Sequence, residues 1–169
     1  MKRFLSILLC LLTLFSLASC KEEETSKSID ILAEANAIME EYGLKGGKFY
    51  ISGGENTLDD ELVRSYYGDA TDMPDFESVT EYAVYIDETQ PLNPCEFGIF
   101  KMDENADKAL FADYLKARIE GKIKTAAAYP SMDTQALTTA KITIKGDYVW
   151  YTAVKGGNDS INSNLEGKL

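Results

Sequence analysis

The sequence predicts an α+β domain: an antiparallel sheet of about four strands, made of two hairpins around a long helix, with N-terminal helices packed on it. Three observations carry this. Two strand-like runs, Glu81–Ile86 and Cys95–Met102, are rich in β-formers and separated by the turn residues Pro91 and Pro94. A long run with apolar residues at helical spacing follows, with Phe111, Leu115, Ile119 and Ile123 in one i, i+4 row. A second pair of alternating runs, Ala140–Lys145 and Tyr148–Val154, is joined by Gly146-Asp147, a two-residue turn that sets register. Strands and helices in this order give a sheet with helices on one or both faces.

Each element has a local reason. Ser28 is a candidate N-cap for a helix over 29–41, where Ile29, Leu32, Ala35 or Asn36, and Met39 share a face and Gly43 is the stop signal. Residues 48–52 form a candidate short strand between two glycine pairs. Thr57 is a candidate cap for a short helix, with Asp59, Asp60 and Glu61 at its positive end and Gly68 at its close. Residues 68–77 are acidic and irregular. Asp103 is the candidate cap of the long helix, over about 104–127, which Pro130 terminates; residues 131–135 read as a loop. In the last hairpin the turn places Lys145 opposite Tyr148, Ile144 opposite Val149 and Ile142 opposite Tyr151. Ile142, Ile144, Val149, Tyr151 and Ala153 then face the long helix. Tyr148 and Trp150 fall on the other face. Residues 156–169 read as a weakly helical, polar and mobile tail.

The N-terminus predicts location. Lys2 and Arg3 precede an apolar run, Phe4–Phe15, too short for the roughly 20 apolar residues of a membrane span and suited to the core of a secretory signal. Leu17-Ala18-Ser19-Cys20 matches a lipobox. The reading is a signal peptide over 1–19, lipid on Cys20, a charged tether over 20–28, one domain over 29–155 and the tail. Acyl chains stabilise membrane attachment by about 0.8 kcal/mol per buried methylene, so the expected partner is the membrane through Cys20, on the extracytoplasmic face of a bacterial envelope.

Of three cysteines, Cys10 leaves with the signal and Cys20 is acylated; only Cys95 remains, so the fold relies on a hydrophobic core, and Cys95 reads as a buried free thiol. The full chain carries a net charge of −11, and loss of Lys2 and Arg3 makes it −13. This acidity argues against a nucleic-acid partner, which needs Lys and Arg. The sequence contains no histidine. Ser-His-Asp and Cys-His catalysis and His-type zinc sites are excluded.

The remaining motifs are weak. Gly47-Lys48 is followed by Phe49, and Tyr42 stands where a P-loop needs its first glycine. Asp69, Asp72, Asp75 and Glu77 fail calcium-loop spacing, since Thr71 and Met73 occupy ligand positions. No Ser-x-x-Lys occurs. No catalytic residue, metal site or cofactor is indicated. The candidate ligand or partner surface is an aromatic patch at Tyr148 and Trp150, facing an envelope protein, peptide or glycan; the alternative is that the N-terminal helix covers both as a second core layer.

Glu81–Tyr85, Glu96–Lys101, the helix after them, Ala128-Tyr129-Pro130 and Lys145–Val149 together resemble a family of small lipoproteins from clostridia-like bacteria with a domain of unknown function. The resemblance spans roughly residues 60–155 and the lipobox. It implies the same localisation and fold, and carries no catalytic residues. The function expected is a non-enzymatic, lipid-anchored binding or envelope-assembly module, with a carboxylate-dependent envelope hydrolase as the alternative.

Overall fold

A computed structural model describes residues 27–69, 71–89 and 94–169. Cys20, the signal, most of the tether and Pro91 lie outside the described residues. The chain forms, in order, α1 (Ile31–Glu41), β1 (Lys48–Ile51), α2 (Asp60–Tyr67), β2 (Val79–Asp87), β3 (Cys95–Met102), α3 (Lys108–Ala126), α4 (Gln135–Thr138), β4 (Lys141–Lys145), β5 (Tyr148–Ala153) and α5 (Asn158–Lys168). The strands make one antiparallel sheet in the order β1-β2-β3-β5-β4. The two hairpins are present, and β1 adds a fifth strand beside β2.

Strand parity divides the core in two. On one face Val84, Ile86, Phe100, Val149 and Tyr151 pack beneath Val63 and Tyr67 of α2 and Phe111, Leu115 and Ile119 of α3. On the other, Ala83, Tyr85, Phe97, Ile99, Tyr148 and Trp150 pack beneath Ile31, Ala35 and Ile38 of α1 and Ile161 and Leu165 of α5. The hairpin register is the one its turn dictates: Lys145 pairs with Tyr148, Ile144 with Val149 and Ile142 with Tyr151. Gly146 takes φ +57°, a left-handed turn conformation that glycine adopts without a Cβ penalty. Gly98 is needed for a different reason: a Cβ there would lie 2.6 Å from the Tyr151 ring and 2.8 Å from Phe100.

Several expectations are corrected. The helix caps are aspartates just downstream of the candidates: Asp30 accepts from Ala33 N–H, Asp59 from Leu62 N–H and Asp107 from Leu110 N–H. Asp103 instead holds a turn, its carbonyl accepting from Ala106 N–H. In α1 the buried row is Ile31, Ala35 and Ile38, while Leu32 is exposed. Two apolar rows overlap in this helix, and the one with two isoleucines faces the sheet. Ile144 has the expected parity yet is 44 % exposed, next to the turn on β4, the edge strand of the sheet. The loop at 131–135 leads into α4. Residues 156–169, expected to be a mobile tail, contain α5, which packs on the sheet through Ile161 and Leu165.

Candidate binding site

Tyr148 and Trp150 do not form an exposed aromatic patch. Trp150 is wholly buried and Tyr148 nearly so. Trp150 Nε1–H donates to Asn162 Oδ1 of α5 at 3.1 Å, and Tyr148 Oη accepts from Ile29 N–H at 3.3 Å. The alternative of a second core layer describes them, and the cover is supplied by α5 as well as α1. The polar shell of α5 concealed its contribution.

Polar chemistry gathers instead at the opposite end of the sheet, where β2 ends and β3 begins. On the α3 face, Glu96 lies in the sheet interior. Its carboxylate accepts from Arg118 Nε at 2.8 Å and Nη2 at 2.7 Å, and from Lys122 Nζ at 2.5 Å. Burial alone would raise the Glu96 pKa; the charges of Arg118 and Lys122 outweigh it and hold the carboxyl below its ordinary value. Arg118 also donates to the Tyr66 carbonyl at 2.9 Å and stacks over Tyr66 and Tyr67, its Cζ 5.0 and 5.4 Å from their ring centroids. Tyr67 and Tyr151 share a hydrogen bond of 3.1 Å nearby. Arg118 and Lys122 both direct hydrogen bonds to Glu96, which fastens α3 to the sheet.

On the α1 face of the same end a cavity of about 220 Å³ opens. The C-terminal turn of α1 contributes Tyr42, Gly43, Leu44 and Lys45. The strands contribute Tyr85, Asp87 and Cys95, with Pro94 beside them; Asp133, Ala136, Val154 and Lys155 complete the wall. Gly43 takes φ +62°, which lets the chain turn sharply out of α1 at the cavity's edge. The cavity stands far from where the chain enters the fold: Ile29 meets Tyr148, which pairs with Lys101 at the other end of β3 from Cys95.

The ionisable groups of this cavity have distinct tasks. Asp133 accepts from Lys155 Nζ at 2.5 Å and from Gln135 N–H at 3.0 Å, and these bonds lower its pKa. Cys95 is a free thiol and half-buried at the start of its strand. Burial, then the charges of Asp87 and Glu96, push its pKa up to about 11, so at neutral pH it is a thiol and not a nucleophilic thiolate. Asp87 is only 9 % exposed; its Oδ1 accepts from Thr89 N–H at 2.8 Å and Thr89 Oγ1 at 2.6 Å. A second cavity of about 270 Å³ adjoins on the α3 side, sharing Asp87 and Pro94 and lined also by Lys122, Thr125 and Leu137.

None of these residues was singled out by sequence motif except Cys95. Parity offered one signal: Glu96 shares the inward phase of Phe100 and Met102, and Arg118 and Lys122 extend the buried stripe of Phe111 and Leu115. Charges in those phases mark a buried ion cluster. Asp87 and Asp133 carried no such mark, since their meeting depends on how α4 returns to the sheet. No family model, curated protein or solved structure matches this chain. The resemblance to small lipoproteins remains an expectation resting on the segments that suggested it.

Proposed function

We propose that this protein is a lipid-anchored, extracytoplasmic binding or envelope-assembly module without catalytic activity, held to the membrane through Cys20 and taking its ligand in the cavity between α1 and the β2–β3 end of the sheet. The observation that carries this reading is the cavity's chemistry. It combines aromatic and aliphatic walls with a few fixed polar groups, the usual make-up of a small-molecule site. A carboxylate-dependent hydrolase needs a carboxyl raised far enough to donate a proton near neutrality. Asp133 and nearby Glu96 are shifted the opposite way, and the Cys95 thiol is shifted away from nucleophilicity.

Two measurements test it. Metabolic fatty-acid labelling with membrane fractionation should show label on the wild type and none on Cys20→Ala; equal labelling would sink the anchoring claim. Small molecules that co-purify with the detergent-extracted chain, read by mass spectrometry after denaturation, should be depleted in Cys95→Phe, whose ring grows into the cavity. Undiminished recovery from a folded Cys95→Phe would remove the cavity as the binding site.

A further inference from the structure

We propose that the cavity holds the ammonium group of a small organic amine, with Asp87 as its counter-ion; this rests on the binding reading above and names its ligand class. Asp87 lies at the cavity wall, nine-tenths buried. Thr89 occupies its Oδ1 with two hydrogen bonds. Its Oδ2 has no hydrogen-bond or ion-pair partner among the described residues. That oxygen, unpartnered among the described residues, belongs to a side chain that lines the cavity. A buried carboxylate with one open oxygen is a costly group to leave without a donor, and a charged donor suits it best.

The surroundings favour a cation on the α1 side. Lys155 is committed to Asp133, and Lys45, exposed at the rim, makes no ion pair with Asp87. In the adjoining cavity Lys122 already supplies an ammonium, directed to Glu96. Tyr42 and Tyr85 give the first cavity aromatic walls, and Leu44 and Val154 give apolar surface for an alkyl chain. At about 220 Å³ the cavity has room for a short alkyl chain. The net charge of −11 draws cations toward the molecule from a distance.

The test uses the detergent-solubilised full chain and three probes of one length: pentylammonium, 1-pentanol and pentanoate. Calorimetry should show pentylammonium binding at least about tenfold more tightly than the other two, with a loss of about tenfold or more in Asp87→Asn. Asparagine keeps the acceptor that Thr89 uses, so the thermal midpoint should be unchanged. Bound pentylammonium should also slow alkylation of Cys95, followed peptide by peptide in mildly alkaline buffer, because Cys95 lines this cavity. Equal binding of amine and alcohol, undiminished amine binding by Asp87→Asn, or amine binding that leaves Cys95 unprotected would overturn the ammonium assignment. If the alcohol still binds and protects Cys95, the cavity remains a binding site of another specificity. If none of the three probes binds or protects, the cavity reading falls with it. Should Asp87→Asn fail to fold, the comparison of probes on the wild type decides the matter alone.

Discussion

Trp150 and Ile144 stand on the two paired strands of one hairpin and show how two apolar side chains acquire unequal weight. Trp150 sits in the second-last strand position of the sheet's order, covered by α1 and α5, with its indole N–H satisfied by Asn162. Asn162 Oδ1 also accepts from Thr143 Oγ1 at 2.6 Å, so removal of the indole leaves a void lined by groups still partly held in place. Trp150→Ala should cost about 3–5 kcal/mol. Ile144, on the edge strand and 44 % exposed, should cost only about 0.5 kcal/mol as Ile144→Ala. Urea unfolding of the two variants checks the pair, and comparable losses would contradict the assigned burial. Residue parity was fully legible here, since a two-residue turn fixes it. Exposure was not, because it depends on which strand becomes the edge.

At the scale of elements, α5 was the least legible part of the fold. Its buried face mixes Ile161 and Leu165 with Asn158 and Asn162, and asparagines in the sequence read as surface. Yet Asn158 is nearly sealed and has three tasks: Oδ1 accepts from Val154 N–H at 2.7 Å, and Nδ2 donates to the Ala136 carbonyl at 2.9 Å and to Thr139 Oγ1 at 2.8 Å. One side chain thus ties β5, α4 and α5 together. Asn158→Ala leaves the Val154 N–H without its acceptor and should cost about 1–3 kcal/mol. Hydrogen exchange at Val154 and through α5 should accelerate more than exchange in β2. Uniform acceleration would show that Asn158 does not join these elements locally. By contrast α3 was readable from its apolar row, and both hairpins from alternation and turn residues. Those signals are local in sequence, whereas an asparagine's partners are not. The same distinction separates Glu96, betrayed by its inward phase, from Asp87, whose cavity is assembled from five separate segments.

For the whole molecule, groups with shifted pKa values set the pH range of stability on either side. The Glu96 carboxyl is held below its ordinary 4.5 by Arg118 and Lys122, so its contribution is present above that value and lost as pH falls through the lowered folded-state pKa. Cys95 is raised from 9.0 to about 11, so the folded state favours the protonated thiol; that contribution is intact below pH 9 and lost as pH rises toward 11. Tyr67 and Tyr151, raised chiefly by burial, add a further loss beginning near 10. Thermal midpoints should therefore form a plateau with shoulders on both sides. Cys95→Ala should delay the alkaline shoulder from about 9 to about 10, and an unchanged onset would show that the thiol does not carry it.

The strand order has a consequence for the chain as it is made. β5 lies between β3 and β4, and among the described residues it is the last strand in sequence. A polypeptide emerging N-terminus first can pair β1, β2 and β3 early, but β3 keeps one bare flank until residues 148–153 arrive. Unpaired flanks of this kind are templates for joining the wrong chain. Completion of the sheet and covering of Trp150 by α5 both await residues 148–168. Premature termination anywhere before β5 should yield a fragment prone to self-association, and residues 148–168 act as the closing stitch of the fold.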